Sequence, residues 1–309
     1  MVANDPTETK PEVKRPPDKI LSKQKNKGTG MVIDVHVHIF PREVRNEKEK
    51  FLDGETLFTY MYKSPQARLA GADDVIAMMD SEGVDKAVVF GFPWNHEEYS
   101  RLNNDYVLQA AARFPGRLIP FACVKADHPK ASSEVERCLG SGARGVGELA
   151  FYTSGLDDAA IESLKHVTDL CHEAQCPILL HTNEPVGHNY LGKSPMTLAQ
   201  LYRLLKIYNK TIWILAHLGG GLPFYCYMKR EVREVLSNCW FDTAALPYLY
   251  HPRVLKVFAD AMGIDKLLFG SDFPLLGYTR YKNEFLQAGF NHAELDMILG
   301  KNARSLLSI

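Results

Sequence analysis

Residues 31–38 read MVIDVHVH, and the alternation inside that run decides the architecture. On a β-strand successive side chains point to opposite faces, which sets Asp34, His36 and His38 on one side and Val35 and Val37 on the other. Seven further runs of the same kind follow: Lys86–Gly91 (KAVVFG), Leu118–Val124 (LIPFACV), Gly145–Phe151 (GVGELAF), Pro177–His181 (PILLH), Thr211–His217 (TIWILAH), Cys239–Thr243 (CWFDT) and Lys266–Asp272 (KLLFGSD). They are short and rich in Val, Ile, Leu, Phe and Trp, and several hardly alternate, as strands buried on both faces of a parallel sheet do. Segments of helical periodicity separate them: Asp73–Glu82, Tyr99–Arg113, Lys130–Leu139, Asp157–Ala174, Thr197–Tyr208, Pro223–Leu236 and Pro252–Met262, most with Gly or Pro near an end. A last helical stretch runs from His292 and is interrupted near Gly300. Eight strands alternating with helices predict an α/β fold, a (β/α)8 TIM barrel. A doubly wound sheet is the alternative, but no Gly-rich dinucleotide turn follows the first strand.

The 309-residue chain carries 36 Lys+Arg against 37 Asp+Glu, a formal net charge of −1. That balance excludes a nucleic-acid binder relying on bulk basicity. No stretch approaches the ~18 uninterrupted apolar residues of a membrane-spanning helix. Six cysteines without a CxxC pair read as reduced thiols of a cytoplasmic protein. Cys123 and Cys239 fall within strands, as inert packing. Residues 1–30 stand apart, with four Pro, seven Lys/Arg and four Asp/Glu. Such a segment cannot bury enough surface to offset its ordering entropy, and it lacks the apolar core of a secretory signal. The expected organisation is a disordered tail over 1–30 and a single barrel domain over 31–309.

In a barrel of this kind the C-terminal strand ends form the active-site face. His36 and His38, one pleat apart on the inward face, offer a bidentate site for a borderline metal such as zinc. Strand four carries Glu148, strand five ends at His181, strand six at His217 and strand eight at Asp272. Singly, each reads as well as a hydrogen-bonded core histidine, a turn residue or an ion-pair partner. Jointly, desolvating several imidazoles and two carboxylates in one place is costly, and a divalent cation compensates the cost. Asp34 is a candidate anchor for the second ring nitrogen of a histidine, or strand-bottom polarity. The loops offer Trp94 after strand two, Asn183, His188 and Tyr190 after strand five, and Arg280 after strand eight as substrate contacts. Arg280 reads two ways: as a carboxylate clamp, or as the partner of Glu284 one helical turn on. Gly219-Gly220-Gly221 either admits a ligand close to the backbone or makes a tight turn, and no phosphate-loop GK[ST] follows it.

IDVHVHIFP, LLHTNEP, ILAHLGGG, LFGSDFP and ILGKNARSLL together resemble the amidohydrolase superfamily, in the branch of the aminocarboxymuconate semialdehyde decarboxylase-like proteins. The resemblance spans residues 31–309. It implies that His36, His38, His181 and Asp272 bind a metal, with His217 catalytic in a single-metal member or a ligand in a two-metal one. Glu148 stands where many binuclear relatives carry a carboxylated lysine, and it is similar to the bridging Glu of the barrel deoxyribonucleases. The expected cofactor is one divalent ion, Zn2+, with a second through Glu148 and His217 as the variant. The expected activity is hydrolysis of an ester, lactone or amide of a small organic acid by a metal-activated water. Asp272 would accept the water's proton and His217 would polarise the carbonyl. The alternatives are a nonoxidative decarboxylase, a two-metal phosphodiesterase and a catalytically silent barrel. The expected partner is a small-molecule substrate, with neither nucleic acid nor membrane, and the resemblance implies a homodimer.

Overall fold

The structure is a computed structural model that describes residues 30–309. All eight expected strands form, shorter than their sequence runs: β1 (Ile33–His38), β2 (Lys86–Phe90), β3 (Leu118–Pro120), β4 (Val146–Leu149), β5 (Ile178–Leu180), β6 (Trp213–Leu215), β7 (Cys239–Asp242) and β8 (Leu267–Leu268). All strand pairs are parallel, in the orders β1-β2-β3 and β4-β5-β6-β7-β8. Single bridges Ala122↔Val146 and Val37↔Phe273 join the two sheets and close the ring. Hydrogen bonds from Gly147 N to Ala122 O (2.7 Å), Val35 N to Phe269 O (2.9 Å) and His38 N to Phe273 O (2.9 Å) complete both seams. The fold is the expected (β/α)8 barrel.

Two apolar layers hold it together. Ile33, Val35, Val88, Phe90, Ile119, Phe121, Leu179, Ile214 and Leu268 fill the interior, with Ala303 and Leu307 of the C-terminal helix Asn302–Leu307 in the same cluster. Val37, Val89, Leu180, Leu215, Phe241 and Phe269 face outward and meet the helices. The helix Leu198–Ile207 shows how the sequence makes this layer. Thr197 and Gln200 form a capping box at its start, and Leu201, Leu204 and Leu205 are buried at helical spacing. Gly300 lies where a Cβ would come within 1.8 Å of Met31 O, so only glycine allows the final helical run to cross the start of β1.

Three expectations need correction. Val35 and Val37 do not share a face: the register slips between Asp34 and Val37, a bulge that leaves Val35 inside and turns Val37 out. The helix expected over Pro223–Leu236 is a tight 3-10 stretch, His217–Tyr227, followed by a short helix Arg230–Val235. Leu218 to Gly221 all have positive φ, which the glycine run permits and a regular helix forbids. Residues 42–62 hold elements the periodicity did not reveal: helices Arg42–Asn46 and Thr56–Tyr62 around a 3-10 turn. They build an aromatic cluster of Phe40, Phe51, Phe58, Phe92 and Trp94, against which Tyr62 and Tyr99 pack. The disordered tail expected over 1–30 lies outside the described residues except for Gly30, whose amide donates to Asp296 Oδ1 (3.0 Å). Among the described residues no helix is long and apolar enough to cross a membrane.

Gln175, exposed just beyond the helix Lys165–Glu173, has φ 51, a left-handed conformation that disfavours a side chain. Gln175→Gly is expected to stabilise the fold by about 1 kcal/mol and to raise Tm by about 2 °C in a thermal melt; an unchanged or lower Tm contradicts that.

Candidate metal centre

Four donor atoms from two strands and one strand-end turn converge at the C-terminal end of the barrel. His36 Nε2 lies 3.8 Å from Glu148 Oε2 and 3.7 Å from Asp272 Oδ1. His38 Nε2 lies 3.6 Å from each of the same two oxygens. A second trio shares Glu148 through its other oxygen: Oε1 is 3.0 Å from His181 Nδ1 and 3.8 Å from His217 Nε2. His181, expected as a metal donor with His36, His38, Glu148 and Asp272, stands beside Glu148 and His217 in this second trio.

Local backbone devices aim these groups. Both strands that carry donors within their length, β1 and β4, have a register irregularity beside them. His217 and Asp272 end their strands in left-handed conformations, at φ 53 and 65, which are uncommon for non-glycine residues. Asp272 is held there by its amide on His36 O (3.0 Å) and its carbonyl accepting from Leu275 N (2.8 Å).

Ring-nitrogen partners fix the roles of three imidazoles. His38 Nδ1 meets Gly91 O (3.3 Å) and His217 Nδ1 meets Ala244 O (2.8 Å). A carbonyl only accepts, so both Nδ1 atoms carry hydrogen and both Nε2 atoms present lone pairs. His36 Nδ1 lies 2.9 Å from Asp242 Oδ2, which assigns the same tautomer. Asp242 is therefore the anchor that the sequence reading sought in Asp34. Asp34 instead accepts from the His36 and Ser271 amides (3.1 and 2.9 Å), below the donor set.

Electrostatics make the cluster a cation site. Burial pushes the His36 imidazole down, yet Asp242, Glu148 and Asp272 outweigh it and raise the group to about 10. Burial likewise opposes the Glu148 charge, but the neighbouring His36, His181 and His38 hold its carboxyl well below the ordinary range. For His38 burial prevails and its pKa falls. Burial raises Asp34 to about 7. Two carboxylates thus face His36 Nε2, and a third, Asp242, sits on Nδ1. Among the described residues His36 Nε2 and His181 Nε2 are buried with no hydrogen-bond partner, a costly state that a cation relieves at His36. The four imidazole-to-carboxylate spacings, 3.6–3.8 Å, lie slightly above the tetrahedral edge of about 3.4 Å for bonds of 2.1 Å, and His36, His38 and Glu148 offer donor atoms within 4.8 Å of one another. The donors fit a divalent ion.

The expected substrate contacts fare differently. Trp94 is 1% exposed inside the aromatic cluster, and its Nε1 donates to Asn103 Oδ1 (3.1 Å). Asn183 is the neck of its loop: Oδ1 accepts from Ser194 N (2.8 Å) and Nδ2 donates to Ser194 O (3.2 Å). Tyr190 donates to Glu184 Oε2 (2.9 Å), and the exposed His188 ring lies 6.1 Å from the Tyr190 ring. Arg280 pairs with Glu284 (2.7 Å), the helical-turn reading rather than the clamp. Gly219 and Gly220 make room for Phe241 and for the Asn183 backbone, so the run serves chain packing. Two residues were not singled out by sequence. Tyr62 and Tyr152 are pushed up in pKa chiefly by burial, and both feel the charges of Glu148 and Asp272. The Tyr152 ring lies 5.0 Å from that of His181. Tyr62 arrives on the unforeseen helix Thr56–Tyr62, and Tyr152 follows the GELAF strand run, which was its one available signal.

Residues 33–309 match the amidohydrolase family. A 2-amino-3-carboxymuconate-6-semialdehyde decarboxylase of Dictyostelium discoideum is 22% identical over 337 residues, covering 90% of this chain and 91% of that one. Among solved structures, a 5-carboxyvanillate decarboxylase of Novosphingobium aromaticivorans, complexed with manganese and 4-hydroxy-3-methoxy-5-nitrobenzoic acid, superposes with a TM-score of 0.70. It is 18% identical and covers 93% of this chain and 100% of its own. A dihydroxybenzoic acid decarboxylase of Polaromonas sp. with bound manganese and 2-nitroresorcinol gives a TM-score of 0.66 at 17% identity, covering 90% of this chain and 97% of that one.

Proposed function

The chain belongs to the amidohydrolase family, and from that membership we propose that it is a metal-dependent nonoxidative decarboxylase of a small organic acid. One observation carries the choice of reaction: the curated relative that spans 90% of the chain is a decarboxylase, as are the two solved neighbours described above. The decarboxylase alternative thereby displaces hydrolysis of an ester, lactone or amide as the favoured reading. Both neighbours hold manganese, and two imidazole nitrogens with two carboxylate oxygens suit that ion as well as zinc, so manganese is the ion we assign. His36, His38, Glu148 and Asp272 would hold it. The trio Glu148, His181 and His217 is the place for a second ion, the occupancy a phosphodiesterase would require.

A divalent ion bound there supplies fixed positive charge that holds and orients the oxygen atoms of an acid substrate. Decarboxylation breaks the bond between the carboxyl carbon and the substrate carbon that bears it, leaves the electron pair on that substrate carbon, and ends with a proton there as CO2 departs. Asp272 is the proposed carrier of that proton. At 17% side-chain exposure it is the most open carboxylate of the centre, against 8% for Glu148 and 0% for Asp242. His217, its Nδ1 hydrogen fixed on Ala244 O, turns Nε2 towards the site to hold a substrate oxygen when protonated. Tyr62 and Tyr152, both partly buried and within reach of the Glu148 and Asp272 charges, would narrow the space and exclude water.

The test is product analysis. Manganese-loaded protein is incubated with 5-carboxyvanillate, 2,6-dihydroxybenzoate and 2-amino-3-carboxymuconate-6-semialdehyde, and in parallel with esters and lactones of small acids. Metal-dependent CO2 release from a carboxylated substrate is expected. Acid release from the esters or lactones with no CO2 from any acid would return the reading to a hydrolase.

A further inference from the structure

Asp242 ends β7 fully buried, at 0% exposure, with an acceptor turned each way. Oδ2 takes the hydrogen of His36 Nδ1 (2.9 Å), while Oδ1 accepts from the amides of His217 (3.0 Å) and Ala244 (2.9 Å). We infer that Asp242 is the positioning residue of the centre, fixing the tautomer of His36 with one oxygen and the left-handed turn at His217 with the other. The inference rests on the metal reading above.

His38 and His217 have their Nδ1 hydrogens on backbone carbonyls, which no side-chain change removes. His36 depends on a side chain outside the donor set for the same service, whereas His181 Nδ1 meets Glu148, itself a donor (3.0 Å). A carboxylate accepts at both oxygens, and both oxygens here face donors. An amide has one acceptor and one donor. In Asp242→Asn, an amide with its oxygen on the His217 and Ala244 N–H groups would turn NH2 towards His36 Nδ1, which must then accept. The hydrogen would move to Nε2 and remove the lone pair that faces Glu148 and Asp272. With the amide reversed, NH2 would oppose two backbone N–H groups and release the strained turn at His217. One of the two sites fails in either orientation. The neighbouring backbone protects the pair: a Cβ on Gly270 would come within 2.9 Å of His36 Cβ and 3.2 Å of Asp242 Cβ.

The experiment uses the full chain with zinc, which is diamagnetic. Asp242→Asn is expected to keep the wild-type circular dichroism and to bind zinc 10- to 100-fold more weakly in chelator competition. Gly270→Ala, which changes neither group but crowds both, is expected to weaken binding in the same direction. In the NMR spectrum of the zinc-loaded wild type, His36 Nδ1–H should appear far downfield as a carboxylate-bonded proton. In Asp242→Asn that resonance should be lost while that of His38 stays. Zinc affinity of Asp242→Asn within twofold of wild type overturns the inference. So does a wild-type spectrum without the His36 resonance, which decides the matter even if the variants do not fold. A wild type that binds no ion sinks the metal reading itself, whereas a tight-binding wild type with an unaffected variant sinks this inference alone.

Discussion

Asp272→Asn is expected to lower the rate of CO2 release by about 10³-fold while leaving the barrel folded. Asparagine has the shape of aspartate and tolerates the left-handed backbone found at this position, where φ is 65. The two backbone hydrogen bonds that hold the turn, on His36 O and from Leu275 N, do not involve the side chain. What the substitution removes is a proton carrier and an anionic donor 3.6–3.7 Å from two imidazole nitrogens. Measured at saturating manganese, the loss should fall on kcat, and circular dichroism should match wild type. Activity within tenfold of wild type would reject Asp272 as the proton carrier.

Removing the bound ion is expected to abolish turnover and to lower Tm by roughly 8 °C. An ion present at 1,000 times its dissociation constant contributes about 4 kcal/mol by mass action, and about 2 °C per kcal/mol follows for a chain of this size. Without it, His36 becomes the cation among Asp242, Glu148 and Asp272, which satisfies part of the charge and keeps the barrel folded. Treatment with a chelator followed by scanning calorimetry measures the shift, and added manganese should restore both Tm and activity. A chelated protein with unchanged Tm and full activity contradicts the metal reading.

The barrel was legible because strands buried on both faces leave compact apolar runs, and all eight runs became strands. The donors were legible because they lie in or just beyond those runs, where the topology brings the strand ends together. What the sequence hid depends on geometry finer than alternation. The slip in β1 puts Val35 and Val37 on different faces, and nothing in MVIDVHVH marks it. Asp242 sat in plain view in CWFDT, but its importance lies in reaching His36 and His217 across β6–β8 and β1, a long-range pairing no spacing reveals. The aromatic cluster drew Trp94 into its interior and away from any substrate, because residues 42–62, which pack against it, carry no clear helical period. Arg280 had a partner of opposite charge four residues on, and the nearer contact prevailed.

Elemental analysis of the purified protein is the most direct measurement of the centre. At least one equivalent of divalent metal per chain is predicted for the wild type, and a small fraction of that for His36→Ala and His38→Ala. Full metal content in both variants, or none in a wild type refolded with manganese, would contradict it.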